Sequence, residues 1–108
     1  MAGYQFGFAV PTGPLINSIV VTGSASYNPT ATDVYVIGTG TMTFNLPAAS
    51  SSTGRVFHII AQGLGLTVQP NGTDQVNGGG AGIPEAVAAN TWASYIVVGT
   101  NWVKWNQF

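Results

Sequence analysis

Apolar and polar side chains alternate with a period of two along most of this chain. Val34, Val36 and Gly38 share one face of an extended segment and Tyr35 and Ile37 the other, while Met42, Phe44 and Leu46 alternate with Thr41, Thr43 and Asn45. Such alternation predicts strands with one face turned inward. Gly38-Thr39-Gly40 between the two runs predicts a short hairpin. The device recurs as Tyr95-Ile96-Val97-Val98, Gly99-Thr100-Asn101 and Trp102-Val103-Lys104-Trp105, since Gly and Asn supply the positive φ that tight hairpins require. Further strands are expected over Arg55 to Ala61, Leu64 to Gln69 and Ala86 to Ala89, with Pro47, Pro70 and Pro84 interrupting the ladder at strand ends and Gly78-Gly79-Gly80 marking a loose loop. Pro84 to Ala89 has helix-compatible residues but is too short to hold a helix alone. The pattern predicts an all-β domain without α-helix.

Residues 1 to 22 carry a different pattern. Tyr4, Phe6, Phe8 and Val10 set four bulky apolar groups on one face of an extended segment, and Pro11-Thr12-Gly13-Pro14 breaks it before Leu15-Ile16 and Ile19-Val20-Val21. This predicts an extended arm, or a first strand, over residues 1–22, joined to a β-sandwich body over residues 23–108. Tyr4, Phe6 and Phe8 are the candidate partner-binding residues, because aromatic anchors commonly dominate interfaces.

Charge changes the picture more than any motif. Of 108 residues only Arg55, Lys104, Asp33, Asp74 and Glu85 are formally charged at neutral pH, where soluble domains commonly devote about a quarter. Ser, Thr, Asn, Gln and Gly wet the surface instead, which suits permanent assembly. The length fits one domain, of a size at which oligomerisation often supplements a modest core. With no cysteine, a disulfide framework and thiolate metal sites are excluded. Met1 is not followed by a basic and then apolar leader, so no signal peptide is expected. No apolar run approaches the ~20 residues that a bilayer-spanning helix needs. A net charge of -1 gives no reason to expect nucleic acid, since phosphate binding needs clustered Lys and Arg. Strand edges are normally guarded by lysine, other charges or proline, and one Lys and one Arg are few guards; identical subunits covering the edges would meet that need.

The inventory does not assemble into catalytic machinery. His58 is the only side chain titrating near neutrality and sits in Arg55-Val56-Phe57-His58-Ile59-Ile60, where a hydrogen-bonded structural role is the expectation. His, Asp and Glu never fall at a metal-ligand spacing, so no metal or cofactor is expected. Asp33 and Asp74 flank turns, and turn capping accounts for both. Gly78-Gly79-Gly80-Ala81-Gly82 lacks the lysine of a phosphate loop and opens no helix. Asn71-Gly72-Thr73 matches a glycosylation sequon without sign of secretion. Trp92, Tyr95, Trp102 and Trp105 could form an aromatic sugar platform, but Trp102 and Trp105, three apart on a strand, point to opposite faces, so at least one belongs to the core or an interface.

From Tyr27 to Trp102 the order of motifs resembles a small β-domain of bacteriophage structural proteins, found in tail-fibre tips and capsid decoration proteins. The matching pieces are Ala31-Thr32-Asp33, Gly40-Thr41 leading into Phe44-Asn45-Leu46-Pro47-Ala48-Ala49, and Gly54-Arg55; then Val68-Gln69-Pro70-Asn71-Gly72-Thr73-Asp74, Val76-Asn77-Gly78 and Gly99-Thr100-Asn101-Trp102. Val98 departs from the pattern, standing where an acidic residue commonly precedes Gly-Thr-Asn-Trp. The motifs describe a fold more than a site, and no family binding residue carries over. The resemblance implies an antiparallel β-sandwich or jelly-roll, usually a homotrimer. A fibre tip normally ends a much longer chain, so the favoured expectation is a capsid decoration (cement) protein on the capsid exterior of the virion, a homotrimer bound to the major capsid protein. The alternative is a tail-fibre or tail-tip module binding a receptor or host glycan. Neither an enzyme nor a membrane or nucleic-acid partner is expected.

Overall fold

The computed structural model of the chain describes residues 18–107, with the side chains of Ser18 and of residues 105–107 outside the description. Ten strands form within this span: β1 Ser18–Thr22, β2 Ser26–Tyr27, β3 Asp33–Gly38, β4 Thr43–Asn45, β5 Val56–Ala61, β6 Leu66–Gln69, β7 Gln75–Val76, β8 Glu85–Val87, β9 Thr91–Val98 and β10 Asn101–Gln107. No α-helix forms among the described residues; one 3-10 turn covers Ala49–Ser51. Sheet A has the order β1-β3-β5-β9-β10-β7 and sheet B the order β2-β4-β6-β8. The all-β class with two packed sheets agrees with the expectation.

The strand directions do not. From β1 to β6 the chain crosses from sheet to sheet at every step, so that β1, β3 and β5 run parallel in sheet A and β2, β4 and β6 run parallel in sheet B. Three stacked coils result. Together with β7 on β10, five of the eight strand pairings are parallel; only β5 with β9, β9 with β10 and β6 with β8 are antiparallel. The expected antiparallel sandwich or jelly-roll is therefore corrected to parallel coils capped by antiparallel strands. Gly38-Thr39-Gly40 likewise forms a corner between sheets and not a hairpin. Neither glycine there has the positive φ of a tight hairpin. Gly38 is favoured by packing: a Cβ at that position would lie 3.0 Å from Leu66 Cδ2 and 3.2 Å from Met42 Cε, and both side-chain ends would have to give by a few tenths of an ångström. By contrast the β9–β10 hairpin does form, with a loop one residue shorter than expected: Asn101 opens β10 opposite Val98, and Gly99 has φ 65°.

The inner faces of the two sheets hold the core. Phe44 of sheet B meets Phe57 of sheet A edge-on at 5.2 Å, Phe57 meets Trp102 at 5.4 Å, and Tyr27 stacks on Phe44 at 6.1 Å. Val36, Met42, Leu46, Ile59, Val68 and Val87 fill the space between. Arg55 closes one end, its guanidinium 4.5 Å from the Phe57 ring centre while Nη2 donates to the carbonyls of Thr30 and Asp33. Of the stretch 1–22, Ser18–Thr22 is β1 at the edge of sheet A; Tyr4, Phe6 and Phe8 lie outside the described residues.

Candidate functional site

All five charged side chains take part in the architecture. The Asp33 carboxylate, 2% exposed, accepts from the Tyr27 hydroxyl at 2.5 Å and from the Thr30 N–H at 2.8 Å, closing the turn into β3. Burial, reinforced by that carboxylate, pushes the Tyr27 hydroxyl up to about 12. Asp74 accepts from the Ala49 N–H at 2.8 Å and so satisfies the start of the 3-10 turn. The expected turn-capping role fits both residues, although Asp33 opens β3 itself. Between the sheets Glu85 accepts from Tyr95 at 2.6 Å and from Asn77 at 3.3 Å and pairs with Lys104 at 3.2 Å. Burial first, then Glu85, drives the Tyr95 hydroxyl far above its ordinary value.

Titratable chemistry on the outside of sheet A narrows to three side chains on adjacent strands. Tyr35, His58 and Ser94 are cross-strand partners of β3, β5 and β9, with the Tyr35 and His58 rings stacked at 4.6 Å and His58 Nδ1 2.6 Å from Ser94 Oγ. Burial lowers the His58 pKa below its ordinary value. A serine beside a histidine invites a nucleophile reading. Yet the Ser94 side chain has zero exposure, so a substrate carbonyl could not reach its oxygen. Among the described residues no group of three or more His, Asp or Glu is placed to hold a metal ion.

The aromatic platform does not assemble. Tyr95 and Trp102 face the core at zero exposure, while Trp92 occupies the outer side of β9. β-strand alternation separates Trp92 from Tyr95, and the hairpin places Trp102 opposite Val97 on the inner side. Trp105 falls at a register shift between Lys104 and Asn106.

The sequence reading missed the outer surface of sheet A. Ile19 and Val21 on β1 are both 63% exposed and Val98 on β9 58% exposed. Between them Ile37, Ile60 and Ile96, and beyond them Val103 on β10, are half-buried and point outward with Tyr35 and His58. A shallow depression of about 370 Å³ opens on this face between Ile37, Ile60 and Trp92, rimmed by Gln62, Asn90 and Thr91. Its signal was present in the sequence, since Val34 to Ile37, Val56 to Ile60 and Tyr95 to Val98 carry apolar groups at both alternations. Such near-continuous runs belong to strands covered on both faces and to parallel pairing. No protein family, no curated protein and no solved structure matches the chain.

Proposed function

We propose that this chain is a bacteriophage virion structural protein, a homotrimeric capsid decoration protein that binds neighbouring major-capsid subunits on the capsid exterior and works by contact area, not by chemistry. One observation carries the reading. Every formal charge is spent inside the fold or at its turns, while the outer face of sheet A carries no formal charge among its described residues and is mostly apolar. A protein built to bind and turn over small polar molecules needs converging charged or polar groups; one built for assembly needs neutral area. The order of phage-like motifs from Tyr27 to Trp102 supports the same reading. In it Tyr4, Phe6 and Phe8 are the capsid anchors, with avidity from three copies adding to each contact.

The test is a chain lacking residues 1–10, offered to purified capsids stripped of the protein. It is expected to stay a folded trimer and to lose capsid binding. Full decoration by the truncated chain would remove the anchor role from the arm.

A tail-fibre or tail-tip module is the second reading, and the coil geometry favours it specifically. Among the described residues β1 and β2 have no further neighbour in their sheets, whereas β8 and β9 run antiparallel at the other end and stop the coil. A preceding parallel coil could stack on the first end alone, as a module ending a shaft requires. Binding to host cells or glycans by a chain that ignores capsids would select this reading.

A further inference from the structure

The two outer faces of the molecule are made by the same three coils, yet their chemistry differs. Outside sheet B stand Ser26, Thr43, Thr67, Asn45 and Gln69, an ordinary wetted surface. Outside sheet A stand the aliphatic side chains of Ile19, Val21, Ile37, Ile60, Ile96 and Val98, with Tyr35, His58, Ser94 and Trp92 among them. Five strands ~4.8 Å apart, each presenting ~6 residues at ~3.3 Å, give that face a footprint of about 400 Å². Tyr35, His58 and Ser94 share that footprint, which is about half of the ~800 Å² per partner of a standard interface, so a contact here must also take in the rims.

We propose that a second copy of this chain seats on the outer face of sheet A, with the β1 rim of one copy against the β9–β10 rim of the next. The proposal rests on the oligomeric reading above and names the surface that makes the oligomer. Charge selects the occupant. The described residues of the face carry no formal charge, so any charged group a partner set there would lose its water without gaining a counter-ion. A copy of the same face brings no such group, because Asp33, Arg55, Asp74, Glu85 and Lys104 are all engaged away from it. Geometry selects the arrangement. The most exposed apolar groups form two separate rims, Ile19 and Val21 on edge strand β1 and Val98 three strands away on β9. Unlike rims that meet once per neighbour make a heterologous contact that closes into a ring when its rotation allows, whereas the same rims meeting twice across a two-fold axis make a dimer. The homotrimeric reading takes the ring.

The experiment compares the full chain with Val21→Lys, Val98→Glu and the double variant by sedimentation at micromolar concentration, with circular dichroism reporting the fold and Thr67→Lys on sheet B as control. The full chain and the control are expected to be trimers. Each single charged variant is expected to shift to monomer with its fold intact, and the double variant to reassociate, now weakened by salt, because each ring contact then pairs Lys with Glu. Should a charged variant lose its fold, Val21→Ser and Val98→Ser serve in its place and are expected to weaken association at least tenfold. Single variants that remain trimers would overturn the proposal, and a double variant that stays monomeric would overturn the rim-to-rim arrangement. Stronger association on deleting residues 1–10 would assign the face to the chain's own amino-terminal segment. A monomeric full chain would remove both this inference and the homotrimer, whereas a trimer that forms through this face but ignores capsids would sink only the decoration role.

Discussion

Asp33 shows how few residues do the polar work of this fold. It is nearly fully buried and joins Tyr27 of β2 to the Thr30 turn, while Arg55 binds the backbone carbonyls of the same segment. Removing the carboxylate strands the part-buried Tyr27 hydroxyl, a loss of up to about 1–3 kcal/mol, whereas the N–H of exposed Thr30 can turn to water. Asp33→Ala is therefore expected to destabilise the chain by roughly 1–3 kcal/mol in urea unfolding, and Asp33→Asn, which keeps an acceptor, by clearly less. His58 acts in the opposite sense, because burial disfavours its charged form. The unfolded imidazole titrates near 6.5 and the folded one below that. Between those two values the unfolded chain binds more protons, so stability is full above about 6.5 and declines as the pH falls through it, levelling off below the folded value. His58→Gln should flatten that decline in pH-dependent urea titrations. An unchanged slope in the variant would place the titrating group elsewhere.

At the scale of elements, two glycine turns that look alike in sequence do different physical work. Gly99 holds φ at 65° with open space where a Cβ would stand, so its role is conformational. Gly99→Ala is expected to cost about 1 kcal/mol and Gly99→Asn less, since Asn tolerates the left-handed region. Gly38 needs no positive φ and is closed in by Leu66 and Met42. Gly38→Asn should destabilise by about 1–3 kcal/mol through overpacking of a buried amide, and Gly38→Ala by less, since the ends of Leu66 and Met42 can give by a few tenths of an ångström. Thermal unfolding of the four variants checks the contrast. The same pair of turns explains what the sequence could reveal. The β9–β10 hairpin was legible because a two-residue loop fixes its own register, and the inward set Phe57, Ile59 and Ala61 was legible from period two. Strand direction was not, because alternation is identical in parallel and antiparallel strands. Nor does a constant repeat betray the coils: Ile19 pairs with Tyr35 sixteen positions on, and Tyr35 with His58 twenty-three on. The outer face was overlooked for a related reason, since assigning one apolar face per strand left the second apolar set of β5 and β9 without a purpose.

On the scale of the whole molecule, the two sheets give a particle with a wetted side and a dry side. Only charged contacts are screened by ions, and the charges of this chain are held within one subunit by short contacts such as Glu85 with Lys104 and Asp33 with Tyr27. An oligomer joined through the outside of sheet A would therefore have almost nothing for sodium chloride to weaken. Its association constant is expected to change less than about fivefold between 20 mM and 1 M NaCl, because even one screened surface ion pair contributes at most ~1 kcal/mol. Sulfate at equal ionic strength should tighten it, since excluded salts strengthen apolar burial. Cooling toward 4 °C should loosen it for the matching reason that apolar association weakens in the cold. Sedimentation in these three series separates an apolar seam from an ionic one. Dissociation in molar NaCl would mean that charged groups cross the subunit boundary, and the neutral outer face of sheet A could not then be the seam.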